Sequence, residues 1–246
     1  MFEELRKAGF ELKFTSHAEA ILRHDFPDLI GEIESALLNV NLPITEIIGG
    51  GGGETKMTQR LRKALAELNW PKHNFVVTKT VDGIAKESTT HEIDHVRQDE
   101  RGTVAFEIEW NNKDPFFDRD LENFKRLHAE GAISLGGIIT RGTEMQSSLL
   151  EKVTAFGLQR SIKDYDDLSA IDLSPTRPQR RQIDKQVDAG RTFVEAWAKK
   201  FVSDKYGVAT THWSKLIDRI SRGVGNPCPL VLIGLPASII DMELPS

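Results

Sequence analysis

The chain has 246 residues, of which 39% are hydrophobic and 28% charged, an ordinary balance for one globular domain with a sizeable core. The net charge of −5 argues mildly against a nucleic-acid partner, although local basic patches decide phosphate binding more than the total charge does. A single cysteine, Cys228, excludes an internal disulfide framework and any multi-cysteine zinc site.

Membrane and export signals are not visible in the chain. No apolar run approaches the roughly 20 residues that span a bilayer. The N-terminal segment mixes both charge signs and lacks the apolar core of a signal peptide. These features favour a cytoplasmic protein without a membrane partner.

Helical spacing of apolar residues dominates the first third of the chain. Residues 17–40 predict one or two amphipathic helices, and residues 57–69 predict another that ends before Pro71. A glycine run at residues 49–53 separates them and is interpreted as a hinge or an ordered turn. Because Glu54 and Thr55 follow this run, it lacks the lysine of a phosphate-binding loop, and we expect no nucleotide cofactor.

Strand patterns follow in the middle of the chain. Residues 75–81 and 92–98 are predicted strands, and Asp82-Gly83 is a hairpin turn between them. The clearest strand is 103–110, in which apolar residues alternate strictly with Ala105, Glu107 and Glu109.

The second half of the chain alternates between helix and strand. Residues 132–140 predict a buried strand, reached from the preceding strand by a helical crossover and therefore parallel to it. Residues 162–190 are polar and contain Pro175 and Pro178, so we predict a long loop or an ordered insertion. The whole chain, 1–246, is predicted to form a single α/β domain. The other predicted elements are helices at 118–130, 145–157, 191–204 and 212–222 and a strand at 230–235.

Three carboxylates form a candidate metal site. Strand geometry places Glu107 and Glu109 on one face, roughly 7 Å apart, where they repel each other unless a cation lies between them. A hairpin over residues 92–110 brings Asp94 alongside them. Such an oxygen-rich site suits Mg²⁺ better than zinc. The alternative is a strand whose acidic face is simply exposed to water.

The segment EIEWNNKDPFFDRDL, residues 107–121, resembles the type II restriction endonucleases related to BglII, BstYI and BamHI, within the PD-(D/E)XK nuclease superfamily. Four more segments match in order along the chain, so that the resemblance runs from about residue 49 to residue 235. They are GGGGGETKMTQRLRKALAELNW, HEIDHV, IITRG and GVATTHWSKL.

The resemblance implies a central mixed β-sheet flanked by helices, a homodimer, and Mg²⁺-dependent cleavage of double-stranded DNA at a short palindrome, with a GATC-containing core. It makes Asp94 the first metal ligand and Glu107 the second. Glu109 takes the position usually held by lysine, as glutamate does in BamHI-like members, and is either a base or a ligand of a second metal. Glu54 is an auxiliary carboxylate in this interpretation, although helix starts favour acidic residues anyway.

The residues expected to bind DNA lie at the ends of three elements. Arg141 ends a core strand, where it is a candidate for pairing with guanine O6 and N7. Hydroxyls at the start of a helix suit phosphate, although Thr211 also has the character of an ordinary N-cap. The candidates are Asn111, Asn112, Lys113, Arg141, Thr210, Thr211, His212 and Lys215.

Two other functions stay open for such a scaffold. One is a modification-dependent or repair nuclease with the same site and a different substrate. The other is a DNA-binding module that has lost catalysis, which the presence of all three carboxylates disfavours. Cleavage assays on unmodified and methylated DNA distinguish these alternatives.

Overall fold

The computed structural model describes residues 1–49 and 54–243. Its strands form one five-stranded sheet and two small two-stranded sheets. In chain order the strands are β1 (Glu11–Thr15), β2 (Leu42–Pro43), β3 (His73–Val81), β4 (Ile84–Ile93), β5 (His95–Asp99), β6 (Gly102–Glu109), β7 (Leu135–Arg141), β8 (Leu230–Leu235) and β9 (Ile240–Asp241).

Helices occupy most of the remaining chain. In order they are α1 (Glu3–Lys7), α2 (Ala18–Asp25), α3 (Pro27–Leu38), α4 (Ile44–Ile48), α5 (Lys56–Glu67), α6 (Phe116–Ala129), α7 (Thr143–Gln159), α8 (Tyr165–Ser169), α9 (Arg177–Asp188), α10 (Phe193–Lys205) and α11 (Trp213–Ser221), and a 3₁₀-helix covers Ala237–Ile239. No helix in the described part of the chain is both long and apolar enough to cross a membrane.

The central sheet has the strand order β1-β8-β7-β6-β5. The three inner strands are parallel, and each edge strand is antiparallel to its neighbour. Helix α6 provides the crossover from β6 to β7, as the sequence pattern predicts. The predicted α/β class and the mixed sheet flanked by helices are confirmed.

Alternation along β6 divides the core into two layers. Phe106, Ile108 and Trp110 pack on one face with the larger hydrophobic cluster, which includes residues of α3, α5 and α7. The other face of the sheet is covered by α6, whose Phe124 packs with Ile138 of β7. Because apolar side chains hold both faces, β6 is a rigid platform for whatever polar groups it carries.

Two sequence predictions are modified by the structure. The predicted strand at 92–98 is divided, because Asp94 lies outside regular structure between β4 and β5. The segment 162–190, predicted as a long loop or an ordered insertion, is ordered and largely helical, since it contains α8 and α9. Helix α9 starts with Pro178 in its first turn, a position that proline favours, and Gln179 accepts a hydrogen bond from the N–H of Thr176 (2.8 Å).

Other elements had no clear sequence signal. Strand β1 is short and half-buried throughout, and α1 and α4 are five-residue helices. The hinge or turn predicted for the glycine run lies mostly outside the described residues, which resume at Glu54.

Candidate active site

The candidate site is built on β6 and the end of β4. His95 pairs with Phe106, so the same antiparallel register places Asp94 opposite Glu107. Directly opposite residues of antiparallel strands share one face of the sheet. The β6 face that carries Glu107 also carries Glu109. The structure therefore brings the three predicted carboxylates to one face.

These three carboxylates differ in how far they are buried. Glu107 and Glu109 are only 5% and 3% exposed, because α6 covers this face of the sheet. Asp94 is half-exposed, and its Oδ1 lies 3.1 Å from Nζ of Lys72. The site thus has two buried carboxylates and one at its solvent-facing margin.

A fourth carboxylate, Asp120 of α6, also belongs to this site. It is completely buried, and its Oδ1 accepts a hydrogen bond from Nε of Arg119 (2.8 Å). Its Oδ2 has no hydrogen-bond partner among the described residues. A second Arg119 nitrogen, Nη2, lies 3.5 Å from Oε1 of Glu109. Asp94, Glu107, Glu109 and Asp120 are called the carboxylate cluster below.

The sequence interpretation missed Asp120, although a signal for it exists. Asp120 falls on the same helical stripe as Phe117, Leu121 and Phe124, which are all buried. A charged residue within an apolar stripe is rarely fully buried unless it has a partner or a function. The stripe therefore marks Asp120 as a candidate site residue.

Mutual repulsion and burial change the acidity of the cluster. Burial is the main cause that raises the pKa of Glu107 well above its usual range, followed by the charges of Asp120 and Asp94. Burial and the nearby Asp120 likewise raise the pKa of Glu109 to about 8. Burial also raises the pKa of Asp120, against the hydrogen bond from Arg119. The cluster is a region where negative charge is costly unless a cation is bound.

Asn112 orients one member of the cluster. Its Nδ2 donates a hydrogen bond to Oε2 of Glu109 (2.7 Å). The backbone of Asn112 is paired with Thr211, because the Asn112 N–H donates to Oγ1 of Thr211 (3.0 Å) and the Thr211 N–H donates to the Asn112 carbonyl (2.8 Å). The loop after β6 is thereby joined to the loop before α11.

A family comparison agrees with this arrangement. Residues 10–235 match the family model described as restriction endonuclease BglII/BglIII. The chain belongs to the BglII family of restriction endonucleases. This membership makes the protein a type II site-specific deoxyribonuclease, a hydrolase whose substrate is DNA. A comparison with curated proteins found no match.

Members of this family generally use a divalent metal ion, and the donor chemistry of the enzyme fits one. Within residues 1–49 and 54–243, no group of three or more His, Cys, Asp or Glu side chains is already arranged to hold a metal ion. The cluster nevertheless supplies hard oxygen donors, and Asp120 Oδ2 is buried without a partner. Repulsion among the buried carboxylates is the electrostatic condition that a bound cation relieves.

The expected DNA-binding residues differ in accessibility. Asn112 and Lys113 are exposed, and Lys215 is half-buried with its Nζ 3.6 Å from Oδ2 of Asp114. Thr210 and Asn111 are half-buried and hydrogen-bonded to Arg141. Asn112 and Lys113 are therefore the exposed members of this set, and Nδ2 of Asn112 is already bonded to Glu109.

Three of the expected DNA contacts are buried in this structure. Arg141 is fully buried, so its guanidinium is not presented to a guanine edge. Thr211 is also fully buried, and His212, not Thr211, is the N-cap of α11. Burial and the charges of Arg141 and Lys215 lower the pKa of His212, which favours its neutral form over a phosphate-binding cation.

Glu54, the expected auxiliary carboxylate, lies just before α5. Its Oε2 forms an ion pair with Nη1 of Arg62 (2.9 Å). Among the described residues, no hydrogen bond or ion pair joins it to Glu107 or Glu109. A catalytic role for Glu54 stays a prediction.

The raised pKa values of the buried carboxyls predict how stability depends on pH. An acid whose folded pKa exceeds its unfolded value binds more protons when folded, so stability falls as the pH rises between the two values. In EDTA we expect the melting temperature to fall on the order of several degrees as the pH rises from 4.5 to about 8, the interval between the ordinary pKa of a glutamate and the raised pKa of Glu109. Glu109→Gln should reduce this fall, as measured by calorimetry.

A matched control separates this effect from general charge removal. Glu122 lies on the exposed side of α6, where Lys125 and Arg126 lower its pKa. Glu122→Gln should leave the fall in melting temperature above pH 5 unchanged, since the Glu122 carboxyl is already ionised in that pH range. If the melting temperature falls equally with pH in the wild type and in Glu109→Gln, the electrostatic description of the cluster is contradicted.

Proposed function

We propose that this enzyme hydrolyses phosphodiester bonds of double-stranded DNA at a short palindromic site, with Mg²⁺ as the metal ion. The proposal rests on one observation above all. In a chain of the BglII family, the register of β5 and β6 places Asp94 opposite the buried Glu107, beside Glu109. These residues combine hard oxygen donors with a rigid platform.

Asp94 and Glu107 would hold the metal ion in this proposal. When bound, Mg²⁺ supplies positive charge that offsets the charge of the phosphate, lowers the pKa of water and stabilises the leaving oxygen. Glu107 is fixed by the packing of β6. The half-exposed Asp94 can exchange its contact with Lys72 for a bond to the metal ion. The two residues therefore combine rigidity with access from solvent.

Glu109 would accept the proton of the attacking water. A general base works best when its pKa lies near the operating pH, and burial raises the pKa of Glu109 to about 8. Asn112 holds Oε2, and Arg119 faces Oε1 at 3.5 Å. The water oxygen bonds to phosphorus while Glu109 takes one proton of that water, and the bond to the leaving sugar oxygen breaks as this oxygen gains a proton from solvent water. The alternative role for Glu109 is ligation of a second metal ion.

A palindromic site would require two copies of this chain. A two-fold dimer supplies two catalytic sites at matched spacing, one for each DNA strand. The exposed Lys113 and the half-exposed Lys215 would contact phosphates. The family resemblance supports a GATC-containing core as the recognition sequence.

The experiment that tests this proposal is sequencing of fragment ends after digestion of unmethylated plasmid and phage DNA. We expect discrete fragments whose ends share one short palindrome, cut symmetrically in both strands. The mass of the protein in solution should correspond to a dimer. Heterogeneous ends, or nicks in one strand only, would contradict palindromic recognition, and cleavage restricted to methylated DNA would favour a modification-dependent nuclease.

A further inference from the structure

Arg141, the last residue of β7, carries a fully buried guanidinium. The charge lies over the rings of Trp110 and Tyr206, 5.5 and 5.1 Å from their centroids. Burial lowers its pKa to about 10 against a smaller opposing effect of the Tyr206 phenol, and no ion pair joins the guanidinium to an Asp or Glu side chain among the described residues. Burying an arginine without a carboxylate partner costs free energy, so the position of Arg141 calls for a structural or functional explanation.

The hydrogen bonds of Arg141 join two loops. Nη1 donates to Oδ1 of Asn111 (2.5 Å), in the loop that follows β6. Nη2 donates to Oγ1 of Thr210 (2.7 Å), in the loop that precedes α11. The planar guanidinium reaches both acceptors at once, which the single ammonium of lysine does less well. Arg141 thus acts as a brace between these loops.

The neighbours of these two acceptors contact the carboxylate cluster. Asn111 precedes Asn112, and Thr210 precedes Thr211. The Thr211 N–H donates to the Asn112 carbonyl, and the Asn112 N–H donates to the side-chain Oγ1 of Thr211. Asn112 in turn donates to Oε2 of Glu109 (2.7 Å). Hydrogen bonds together with the peptide links from Asn111 to Asn112 and from Thr210 to Thr211 therefore connect the buried guanidinium to the proposed base.

We propose that Arg141 is a positioning residue for the cleavage reaction: by holding Asn111 and Thr210 together, it keeps Asn112 hydrogen-bonded to Glu109. This inference rests on the proposed role of Glu109. The positioning role takes the place of the contact with guanine expected from the sequence. A DNA base could reach the Arg141 guanidinium only after both of its hydrogen bonds and its packing against two aromatic rings were broken. Arg141 would therefore influence the chemical step more than the recognition of DNA.

The test compares Arg141→Lys with Thr210→Val, which keeps the arginine and removes its acceptor. Single-turnover cleavage is measured at saturating DNA with Mg²⁺, and Kd for the same duplex is measured with Ca²⁺. Residues that support a metal site from outside its direct ligands typically contribute 10- to 100-fold, so we expect the rate of each variant to fall about 10- to 100-fold. The Kd should change by less than about threefold, since no DNA contact is lost.

A double-mutant cycle shows whether Arg141 acts through Asn112. If it does, Arg141→Lys should lower the rate much less in an Asn112→Ala background than in the wild type. A merely structural arginine would give additive losses. Arg180→Lys is the matched control, because this guanidinium lies over Tyr165 (4.5 Å) away from the carboxylate cluster, and its rate should be unchanged.

Each result of these experiments either supports the proposal or overturns it. Non-additive losses with Asn112→Ala support the proposal. Additive losses, or an unchanged rate at saturating DNA, overturn it, and an unchanged rate with a weakened Kd would restore the DNA-contact role. If the wild-type protein itself fails to cleave DNA, the proposed function fails instead. Thr210→Val preserves the test if Arg141→Lys does not fold.

Discussion

Glu107→Gln is expected to reduce single-turnover DNA cleavage on the order of 10³-fold or more. Stabilisation by a bound metal ion is worth several kcal/mol of a reaction barrier, and each ~1.4 kcal/mol is a tenfold change in rate. Glutamine keeps the shape of this buried side chain, which is 5% exposed, but removes the anionic oxygen proposed to hold the ion. The measurement is the cleavage rate at saturating DNA.

The same variant should retain its fold and its affinity for DNA. Removing a carboxylate whose pKa is strongly raised relieves repulsion, so in EDTA the variant should melt at or above the wild-type temperature at pH 8. Glu122→Gln removes an acidic charge from the exposed side of α6 and should cleave at the wild-type rate. Wild-type activity in Glu107→Gln would refute the assignment of this residue.

Glu109→Gln is expected to lower the rate about 10²- to 10⁴-fold, the usual contribution of a general base. It should also change the pH dependence of the reaction. In the wild type the rate should rise with pH until Glu109 is ionised, at or below its pKa of about 8, because a nearby divalent ion favours the ionised form. The variant should lack this rise, as measured by single-turnover rates from pH 6 to 9.

The alternative role gives a different result. If Glu109 is a ligand of a second metal ion, higher Mg²⁺ should restore most of the rate of Glu109→Gln. The pH profile of the variant would then resemble that of the wild type. Asn112→Ala, which leaves the carboxylate in place but removes its hydrogen bond at 2.7 Å, should give a smaller loss than Glu109→Gln in both cases.

The parts of the fold that could be predicted from the sequence are those in which apolar residues recur in a regular pattern. The strict alternation of β6 is visible in the sequence because large apolar residues point to one face of the sheet, whereas Ala105, Glu107 and Glu109 point to the other. Strand β8 was predicted with its observed bounds, since a short apolar run ends at a proline on each side. The pairing of Asp94 with the β6 carboxylates followed from the hairpin, although the strand that carries it is interrupted.

The surroundings of several residues could not be predicted from the sequence, because they depend on contacts across the fold. Arg141 looked like a DNA contact because it ends a strand, but Trp110 and Tyr206 enclose it from distant parts of the chain. Asp120 gains its place from the packing of α6 on the sheet. The polar composition of α9 hid its helix, because only Ile183 of that helix is buried. Such contacts are invisible to local periodicity.

The most direct test of the central claim is incubation of unmethylated plasmid and phage DNA with the purified protein, in Mg²⁺ and in EDTA. We predict discrete fragments in Mg²⁺ and intact DNA in EDTA, with Glu107→Gln inactive in both. Equal cleavage in EDTA, or no cleavage of methylated or unmethylated DNA by the folded protein, would contradict a metal-dependent endonuclease built on the carboxylate cluster.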